Sequence, residues 1–287
     1  MVLTLLAPGQ DHIHEAKYRM RIIEASTTLG QELTAHQRGL FARDGALHFK
    51  RFLGPQTVAE VIKAIGEVEQ QWVHEEVRTV RGTPVKYGKD MDGRPMVQRF
   101  AFASHYHAVL AEVLQDPRLK AILQLVGDDA RLGTEEKDGL VINHYLNASG
   151  SGFTEMGWHT DSIRDLFLGK RVGPMLNVGF HLDDQDPANG GLRFLPGTHR
   201  QGLGGMLFHK RYFMDKRADP REAAFAIEAG DLTVHDGRMW HRVQRSALVG
   251  EASRRRVMYI PVINGSYAPK TAESRTPFYH RFQHLVK

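Results

Sequence analysis

Residues 189–198 read Asn-Gly-Gly-Leu-Arg-Phe-Leu-Pro-Gly-Thr, and this stretch indicates the fold class. Asn189-Gly190-Gly191 and Pro196-Gly197-Thr198 are turn signals, because glycine, asparagine and proline supply the backbone angles that tight turns require. Between them lies a short apolar run, Leu192–Leu195, of strand length. A short strand between closely spaced turns is the pattern of a small antiparallel barrel or sandwich.

Runs of the same character occur on both sides of this stretch, from about Gly139 onward. Each is short and bounded by turn residues, as strands of a β-rich domain are. The predicted strands are Leu140–Tyr145, Met175–Leu182, Leu192–Leu195, Asp231–His235 and Val257–Ile263. The second half of the chain is therefore predicted to be mainly β.

The region before Gly139 is predicted to be helix-rich. Apolar residues recur every three or four positions from Val58 to Trp72, which indicates one buried face of a helix. A second helical block is predicted at about Tyr106–Gln115. A third helix would begin at Asp116-Pro117 and end at Gly127, because aspartate caps, proline starts and glycine ends helices. The Gly- and Pro-rich segment Gly82–Pro95 is predicted to be a loop near the bound ligand.

Composition limits the possible classes of protein. A chain of 287 residues with 41% hydrophobic content suits one domain with a substantial core. The absence of cysteine excludes disulfides, zinc–thiolate sites, iron–sulfur clusters and thiol nucleophiles. No segment is long and apolar enough to span a bilayer, and the apolar stretch in Met1–Pro8 is too short for a signal peptide. We therefore expect a soluble, cytoplasmic protein with no membrane partner.

The formal net charge of +5 and the sequence pI near 9.4 raise the question of an anionic partner. A nucleic-acid-binding face requires clustered basic residues. Here the basic residues are scattered, apart from Arg254–Arg256 and a loose group formed by Lys210, Arg211, Lys216 and Arg217. We therefore expect no nucleic-acid partner and a small-molecule ligand. The sequence does not specify the oligomeric state.

His159-Thr160-Asp161 is a candidate metal-binding pair, because residues two apart on a strand share a face. With a distant histidine, the pair would give two imidazoles and one carboxylate, the set that suits ferrous iron and leaves coordination positions open. With 16 histidines in the chain, about one His-x-Asp is expected by chance, and a second one is present at His181-Leu182-Asp183. The distant histidine has two candidates, His235 and His241.

Several motifs together resemble those of the phytanoyl-CoA dioxygenase family of iron(II)- and 2-oxoglutarate-dependent oxygenases. They are Trp158-His159-Thr160-Asp161, Asn189-Gly190-Gly191-Leu192, Leu195-Pro196-Gly197-Thr198-His199-Arg200, Gly230-Asp231-Leu232 and His241, with Leu33-Thr34, Asp44-Gly45 and Phe52-Leu53 in the opening segment. The resemblance covers most of the chain. It implies a mainly β fold with flanking helices, built on a double-stranded β-helix core of the jelly-roll, cupin-like type.

The resemblance also implies how the chain is organised. A single catalytic domain would span residues 1–287. It would comprise a helix-rich N-terminal flank (about 1–137), the double-stranded β-helix core (about 138–265) and a C-terminal tail (266–287).

The resemblance implies that His159, Asp161 and His241 are the metal ligands. In the family the metal pair precedes the Asn-Gly and Pro-Gly turns with one strand between, which selects His159 and Asp161 over His181 and Asp183. The latter pair is expected to be structural. Family spacing after Gly230-Asp231 favours His241 as the distal ligand. His235 is then expected to lie beside the site and to orient a ligand.

The resemblance further implies iron(II), 2-oxoglutarate and O2 as cofactor and co-substrates. A guanidinium can hold the distal carboxylate of 2-oxoglutarate through two parallel hydrogen bonds. One carboxylate requires one inward arginine, and Arg255 shares a strand face with Val257 and Tyr259. We therefore expect Arg255 to bind the carboxylate, with Arg254 as the second candidate. Asn143 is a further candidate contact to 2-oxoglutarate.

The implied reaction is hydroxylation of an unactivated C–H bond of a small polar or anionic molecule, with release of succinate and CO2. Desaturation, ring closure and epoxidation are alternative outcomes of the same chemistry. Two other classes remain as alternatives: a cupin-type iron enzyme that does not use 2-oxoglutarate, and a non-catalytic small-molecule-binding barrel. Three segments are expected to cover the site and to select the substrate, namely Phe153–Gly157, Ser162–Arg171 and Leu203–Arg221.

Overall fold

A computed structural model describes residues 21–23 and 28–274 of the chain. The expectations for Met1–Pro8 and for residues 275–287 of the tail lie outside these described residues. The α-helices are α1 (Ala35–Asp44), α2 (Pro55–His74), α3 (Ala108–Glu112), α4 (Leu119–Leu123), α5 (Ile163–Phe167) and α6 (Leu203–Phe208). The strands are β1 (Arg21–Ile23), β2 (Ala46–Phe49), β3 (Thr79–Val80), β4 (Thr83–Pro84), β5 (Lys86–Lys89), β6 (Pro95–Phe100), β7 (Arg131–Leu132), β8 (Val141–Tyr145), β9 (Met156–His159), β10 (Met175–His181), β11 (Gly191–Phe194), β12 (Ala223–Phe225), β13 (Leu232–Asp236), β14 (His241–Gln244) and β15 (Arg255–Ile263).

Two sheets form the body of the protein. The larger has the strand order β2-β13-β10-β15-β8-β6-β5, with β7 added beside β15, and the smaller has the order β1-β12-β11-β14-β9. All pairs in these sheets are antiparallel except β1 with β12. This arrangement is the double-stranded β-helix of the jelly-roll type, so the predicted fold class is confirmed. The five strands predicted from the sequence are all present, with ends shifted by one or two residues.

The larger sheet has two chemically different faces, because side chains alternate along each strand. One face is apolar and includes Ile142, Val178 and Met258, which lie in one buried core with residues of α2. The opposite face carries polar side chains and is called the inner face. Its members are identified by cross-strand pairing and are Arg99, Asn143, Tyr145, Asn177, His181, His235, Arg255 and Tyr259.

Helix α2 covers the apolar face of the larger sheet. It begins at Pro55, a residue suited to the first helical position because its missing N–H would have no partner there. Its buried residues recur at the spacing predicted from the sequence, from Val58 to Trp72. This helix therefore closes the main core and leaves the inner face free for the site.

Two expectations for the first half of the chain were wrong in detail, and one further strand was not predicted. The segment Gly82–Pro95 is not a simple loop, because β5 pairs with β6 and extends the larger sheet. The helix after Asp116-Pro117 ends at Leu123 and not at Gly127, although the Asp116 side chain accepts a hydrogen bond from the N–H of Arg118 as a cap does. The flank also supplies β2, which pairs with β13. Long-range pairing, which local sequence does not encode, explains the added strands.

Among the described residues, none of the helices has both the length and the apolar character needed to cross a lipid bilayer.

Replacement of Phe180 by alanine is expected to destabilise the protein strongly. Phe180 on β10 is fully buried and packs against Phe52, with ring centroids 5.7 Å apart. The cavity left behind should lower the free energy of unfolding by about 3–5 kcal/mol, measured by urea denaturation. Phe208 is 83% exposed, so Phe208→Ala is the matched control and should change the value by less than about 0.5 kcal/mol. Equal losses in the two variants would contradict this core assignment.

Candidate metal centre

Strand pairing brings two distant histidines together at one end of the smaller sheet. His159 is the last residue of β9 and His241 is the first residue of β14. These two strands are antiparallel neighbours, and His159 pairs directly with His241 across them. Side chains of directly paired residues point to the same face, and here the ring centroids lie 4.1 Å apart.

Asp161 follows β9 and completes a group of three potential ligands. One ligand atom from each of His159, Asp161 and His241 lies within 4.8 Å of the others. Nε2 of His241 is 3.4 Å from Oδ2 of Asp161, and Nε2 of His159 is 3.9 Å from Oδ1. Among the described residues this is the one cluster of three histidine or acidic side chains with such spacing. Its chemistry, two imidazoles and one carboxylate, suits ferrous iron.

Both histidines are oriented by main-chain carbonyl groups two residues earlier in the chain. Nδ1 of His159 lies 2.8 Å from the carbonyl oxygen of Gly157, and Nδ1 of His241 lies 3.0 Å from that of Met239. Nδ1 must carry the proton to donate these hydrogen bonds, so Nε2 keeps its lone pair and points toward Asp161. A hydrogen bond at the second ring nitrogen is the usual way in which proteins orient metal-binding histidines.

Burial and neighbouring charges shift the pKa values of all three side chains. Burial lowers the pKa of His159 and holds the pKa of His241 well below its usual range, which keeps both rings neutral. Burial opposes ionisation of Asp161, but the three surrounding histidines outweigh it and the pKa of Asp161 is lowered. Neutral imidazoles and an ionised carboxylate are the forms that bind metals.

Asn177 is a member of the site that the sequence did not reveal. Its side chain on β10 donates a hydrogen bond of 2.6 Å to Oδ2 of Asp161. His235 on β13 lies on the other side of the same oxygen, with Nε2 at 3.5 Å. His235 is buried, and its ring nitrogens have no hydrogen-bond partner among the described residues. It therefore lies beside the proposed ligands, as expected, with Nε2 facing the carboxylate of Asp161.

The second His-x-Asp pair lies away from the three ligand atoms. His181 is buried on the inner face and its ring bonds to Thr233 and Gln185 at 2.9 and 2.8 Å. Asp183 forms a bidentate ion pair with Arg256. Both side chains therefore have structural partners.

Arg255 is the first residue of β15, and Arg254 immediately precedes the strand. Arg255 is buried on the inner face, where Nη1 donates to the carbonyl of Gln244 at 3.0 Å and Nε has no partner among the described residues. None of the described carboxylates lies within 4.0 Å of its guanidinium, and burial lowers its pKa. Arg254 points the other way, contacts His144 and pairs with Glu251.

Two polar side chains on β8 lie on the same inner face as Arg255. Tyr145 pairs across the strands with Arg255, whose guanidinium carbon is 5.4 Å from the tyrosine ring centroid. Asn143 lies two residues earlier and pairs with Val257. The hydroxyl of Tyr145 and Oδ1 of Asn143 are buried and have no hydrogen-bond partner within the described part of the chain. These atoms are available to a ligand beside Arg255.

The segment around Tyr212 and Phe213 covers the metal ligands from outside. Its backbone pairs with β9, since the N–H of Phe213 donates to the carbonyl of Trp158 at 2.8 Å, and the Phe213 ring stacks on His159 at 4.7 Å. The Phe213 carbonyl approaches Gly157 so closely that any Cβ there would collide with it. Trp158 and Trp240, each of which precedes a candidate histidine in the chain, are fully buried.

Proteins of known structure share this fold at low sequence identity. The carbocyclase SnoK from nogalamycin biosynthesis, described as non-heme and alpha-ketoglutarate dependent, superposes with a TM-score of 0.61 and 17% identity over 88% of this chain and 98% of its own. The epimerase SnoN in complex with Fe3+, alpha ketoglutarate and nogalamycin RO gives 0.59 and 17%, over 83% and 86%. HygX from Streptomyces hygroscopicus, with nickel and 2-oxoglutarate bound, gives 0.58 and 15%, over 83% and 89%.

Sequence comparison gives a family assignment. A search of curated proteins finds no match to this chain. Residues 41–246, which are most of the chain and include His159, Asp161 and His241, match the family model described as Phytanoyl-CoA dioxygenase (PhyH). The chain therefore belongs to the phytanoyl-CoA dioxygenase (PhyH) family.

Proposed function

We propose that the protein is an iron(II)- and 2-oxoglutarate-dependent oxygenase that hydroxylates an unactivated C–H bond of a small polar or anionic molecule. The observation that carries the proposal is the combination of three converging ligand atoms with a buried arginine that lacks a carboxylate partner among the described residues. Family membership supports it, as do the iron, nickel and 2-oxoglutarate bound by similar structures.

The residues fit a ferrous ion. His159 and His241 present free Nε2 atoms, and Asp161 presents Oδ1 while Asn177 holds Oδ2. Three ligands on one side of a metal leave the other positions for co-substrates. In this role Asn177 is a positioning residue, because it fixes the rotation of the carboxylate and does not itself bind the metal.

The residues also fit the distal carboxylate of 2-oxoglutarate. A buried guanidinium without a counter-charge is unfavourable, and a planar carboxylate matches its paired donors. Arg255 would donate to the carboxylate, and the Tyr145 hydroxyl beside it would donate a further hydrogen bond. Asn143, one pair of residues further along β8, is proposed as a weaker contact. A cupin-type enzyme without 2-oxoglutarate would have no need of the arginine.

Iron(II) with 2-oxoglutarate and O2 supplies the oxidising power for C–H hydroxylation, with succinate and CO2 as co-products. The protein residues around the metal position the reactants and exclude water. The ring of Phe213 stacks on His159 and would shield that face of the imidazole from water. SnoK is described as a carbocyclase and SnoN as an epimerase, so identification of the product distinguishes the proposed hydroxylation from ring closure and epimerisation.

We infer a small-molecule substrate and no nucleic-acid partner from the different surroundings of the three consecutive arginines. Arg254 pairs with Glu251, Arg256 pairs with Asp183, and Arg255 points inward. Two are neutralised by carboxylates and the third faces the interior. The run therefore does not form the exposed basic surface that binding to phosphates of nucleic acid requires.

The chelate of iron(II) and 2-oxoglutarate should form in the absence of oxygen. Addition of both to the wild-type protein is expected to give a visible charge-transfer band. Asp161→Ala should abolish the band or weaken iron binding by at least about tenfold, because one of three protein ligands is lost. A competently folded wild-type protein that gives no band would refute the proposed function.

Arg255→Met is expected to weaken 2-oxoglutarate binding by about 10- to 100-fold, the loss of a charge-assisted hydrogen bond. Iron binding should be unchanged. Arg254→Met removes the same charge from the residue just before β15, whose side chain bonds to Glu251 and His144, and is the matched control, with near wild-type affinity expected. Titration of the visible band with 2-oxoglutarate measures both variants. A larger loss in Arg254→Met than in Arg255→Met would reverse the assignment of the two arginines.

Asn177→Ala is expected to lower iron(II) affinity by about 10- to 100-fold, because the Asp161 carboxylate loses the donor that orients it. The measurement is competition with a chelator of known affinity, and the melting temperature of the metal-free protein serves as the folding check. Asn147→Ala is the control, since Asn147 donates to the carbonyl of Leu248 and not to a proposed ligand. Unchanged affinity in Asn177→Ala would show that Asp161 needs no positioning.

A further inference from the structure

Two cationic side chains lie directly opposite each other on neighbouring strands of the larger sheet. Lys86 on β5 pairs with Arg99 on β6, and Arg99 pairs in turn with Asn143 on β8. Paired residues point to the same face, so both cations lie on the inner face, in the same row as Asn143 and Val257. This row runs toward the strands that carry the proposed co-substrate contacts.

Like charges placed directly opposite each other destabilise a sheet. The side chain of Lys86 has no hydrogen bond and no ion pair with any described residue to offset the repulsion, and it is half-buried. Arg99 donates to Asp138 at 2.8 Å, but the same carboxylate also accepts from Arg164 and Lys270 at 2.8 and 3.2 Å. Nη1 of Arg99 is buried without a partner among the described residues. Within the described part of the chain, the four cations Lys86, Arg99, Arg164 and Lys270 therefore have one carboxylate, that of Asp138, among them.

The surroundings of Lys86 connect it to the interior of the barrel. Its Nζ lies 4.6 Å from the ring centroid of Phe153, and Phe153 stacks on Tyr145 at 4.8 Å. Tyr145 in turn lies beside Arg255. Burial, together with the charge of Arg99, lowers the pKa of Lys86 to about 7. An anion between Lys86 and Arg99 would raise the pKa of Lys86 again and reduce the repulsion between the two cations, because an opposite charge favours the protonated amine.

We propose that Lys86 and Arg99 form a subsite that binds the anionic group, a carboxylate or a phosphate, of the small-molecule substrate. This inference rests on the proposed function and specifies its substrate class. Arg255 is left for 2-oxoglutarate, so the two anions occupy separate positions on the inner face. The Phe153 ring, stacked on Tyr145, would contact the substrate next to its anionic group. A substrate of this class has one charged end and an oxidisable carbon at some distance from it.

Fluorine NMR with two small probes of similar size tests the subsite. Trifluoroacetate carries a carboxylate, whereas trifluoroethanol is neutral. Each is titrated into the protein loaded with iron(II) and saturating 2-oxoglutarate without oxygen, so that the Arg255 position is already filled. The proteins compared are the wild type, Lys86→Met, Arg99→Met and Lys89→Met. The last is the matched control, because Lys89 is an exposed lysine on the same strand.

Saturable line broadening of trifluoroacetate, and not of trifluoroethanol, is expected in the wild type and in Lys89→Met. Binding should be at least about tenfold weaker in Lys86→Met and in Arg99→Met, the loss of one charge-assisted hydrogen bond. Lys86→Met leaves the Asp138 ion pairs intact, so it keeps the test valid if Arg99→Met fails to fold. Displacement by acetate or by inorganic phosphate then shows which anion the subsite prefers.

The subsite is refuted if trifluoroacetate binds no better than trifluoroethanol to the wild type, or equally well to all four proteins. The outcome is separable from that of the proposed function. A wild-type protein that forms the visible chelate but does not discriminate between the probes contradicts the subsite alone. If no chelate forms, the proposed function fails, and the same titrations without metal still report whether Lys86 and Arg99 bind the anion.

Discussion

Antiparallel pairing of β9 with β14 places His159 directly opposite His241, and the other parts of the site are arranged around that pair. The residues are 82 positions apart in the chain, so only the sheet register can bring their rings to a separation of 4.1 Å. A shift of one residue would turn one ring to the opposite face of the sheet. The larger sheet contributes Asn177 and His235, whose side chains contact the carboxylate of Asp161, the third candidate ligand.

Alternation along the strands of the larger sheet places the side chains of the core on one face and those of the candidate site on the other. The face toward α2 is apolar and contains the main core, whereas the inner face is polar and several of its groups lack partners among the described residues. The three consecutive arginines show the same separation. Arg254 and Arg256 pair with carboxylates, whereas Arg255 between them is buried on the inner face. Polar groups buried without partners weaken a fold, so their concentration on one face indicates that a ligand supplies the missing contacts.

Five strands could be predicted from the sequence because turn residues bound them, but β9 and β14, which carry the two candidate histidines, were not among them. The sequence offered two His-x-Asp pairs and two distant histidines, and only the family resemblance ranked His159, Asp161 and His241 above the alternatives. Asn177 was missed because a single asparagine in an apolar strand has no signature; only pairing across the barrel shows that it reaches Asp161. Lys86 and Arg99 were missed because Gly82–Pro95 resembles a loop, and their opposition arises from β5–β6 pairing.

The hydrogen bonds that orient His159 and His241 are accepted by carbonyl groups two residues earlier in the chain, one in β9 and one just before β14. Each ring is therefore held by main chain, which every sequence possesses, and not by a side chain that mutation could remove. Loops around the barrel can diverge without rotating either imidazole. The orientation of the two rings in this protein therefore depends on the backbone path at Gly157 and Met239 and not on the identity of the neighbouring side chains.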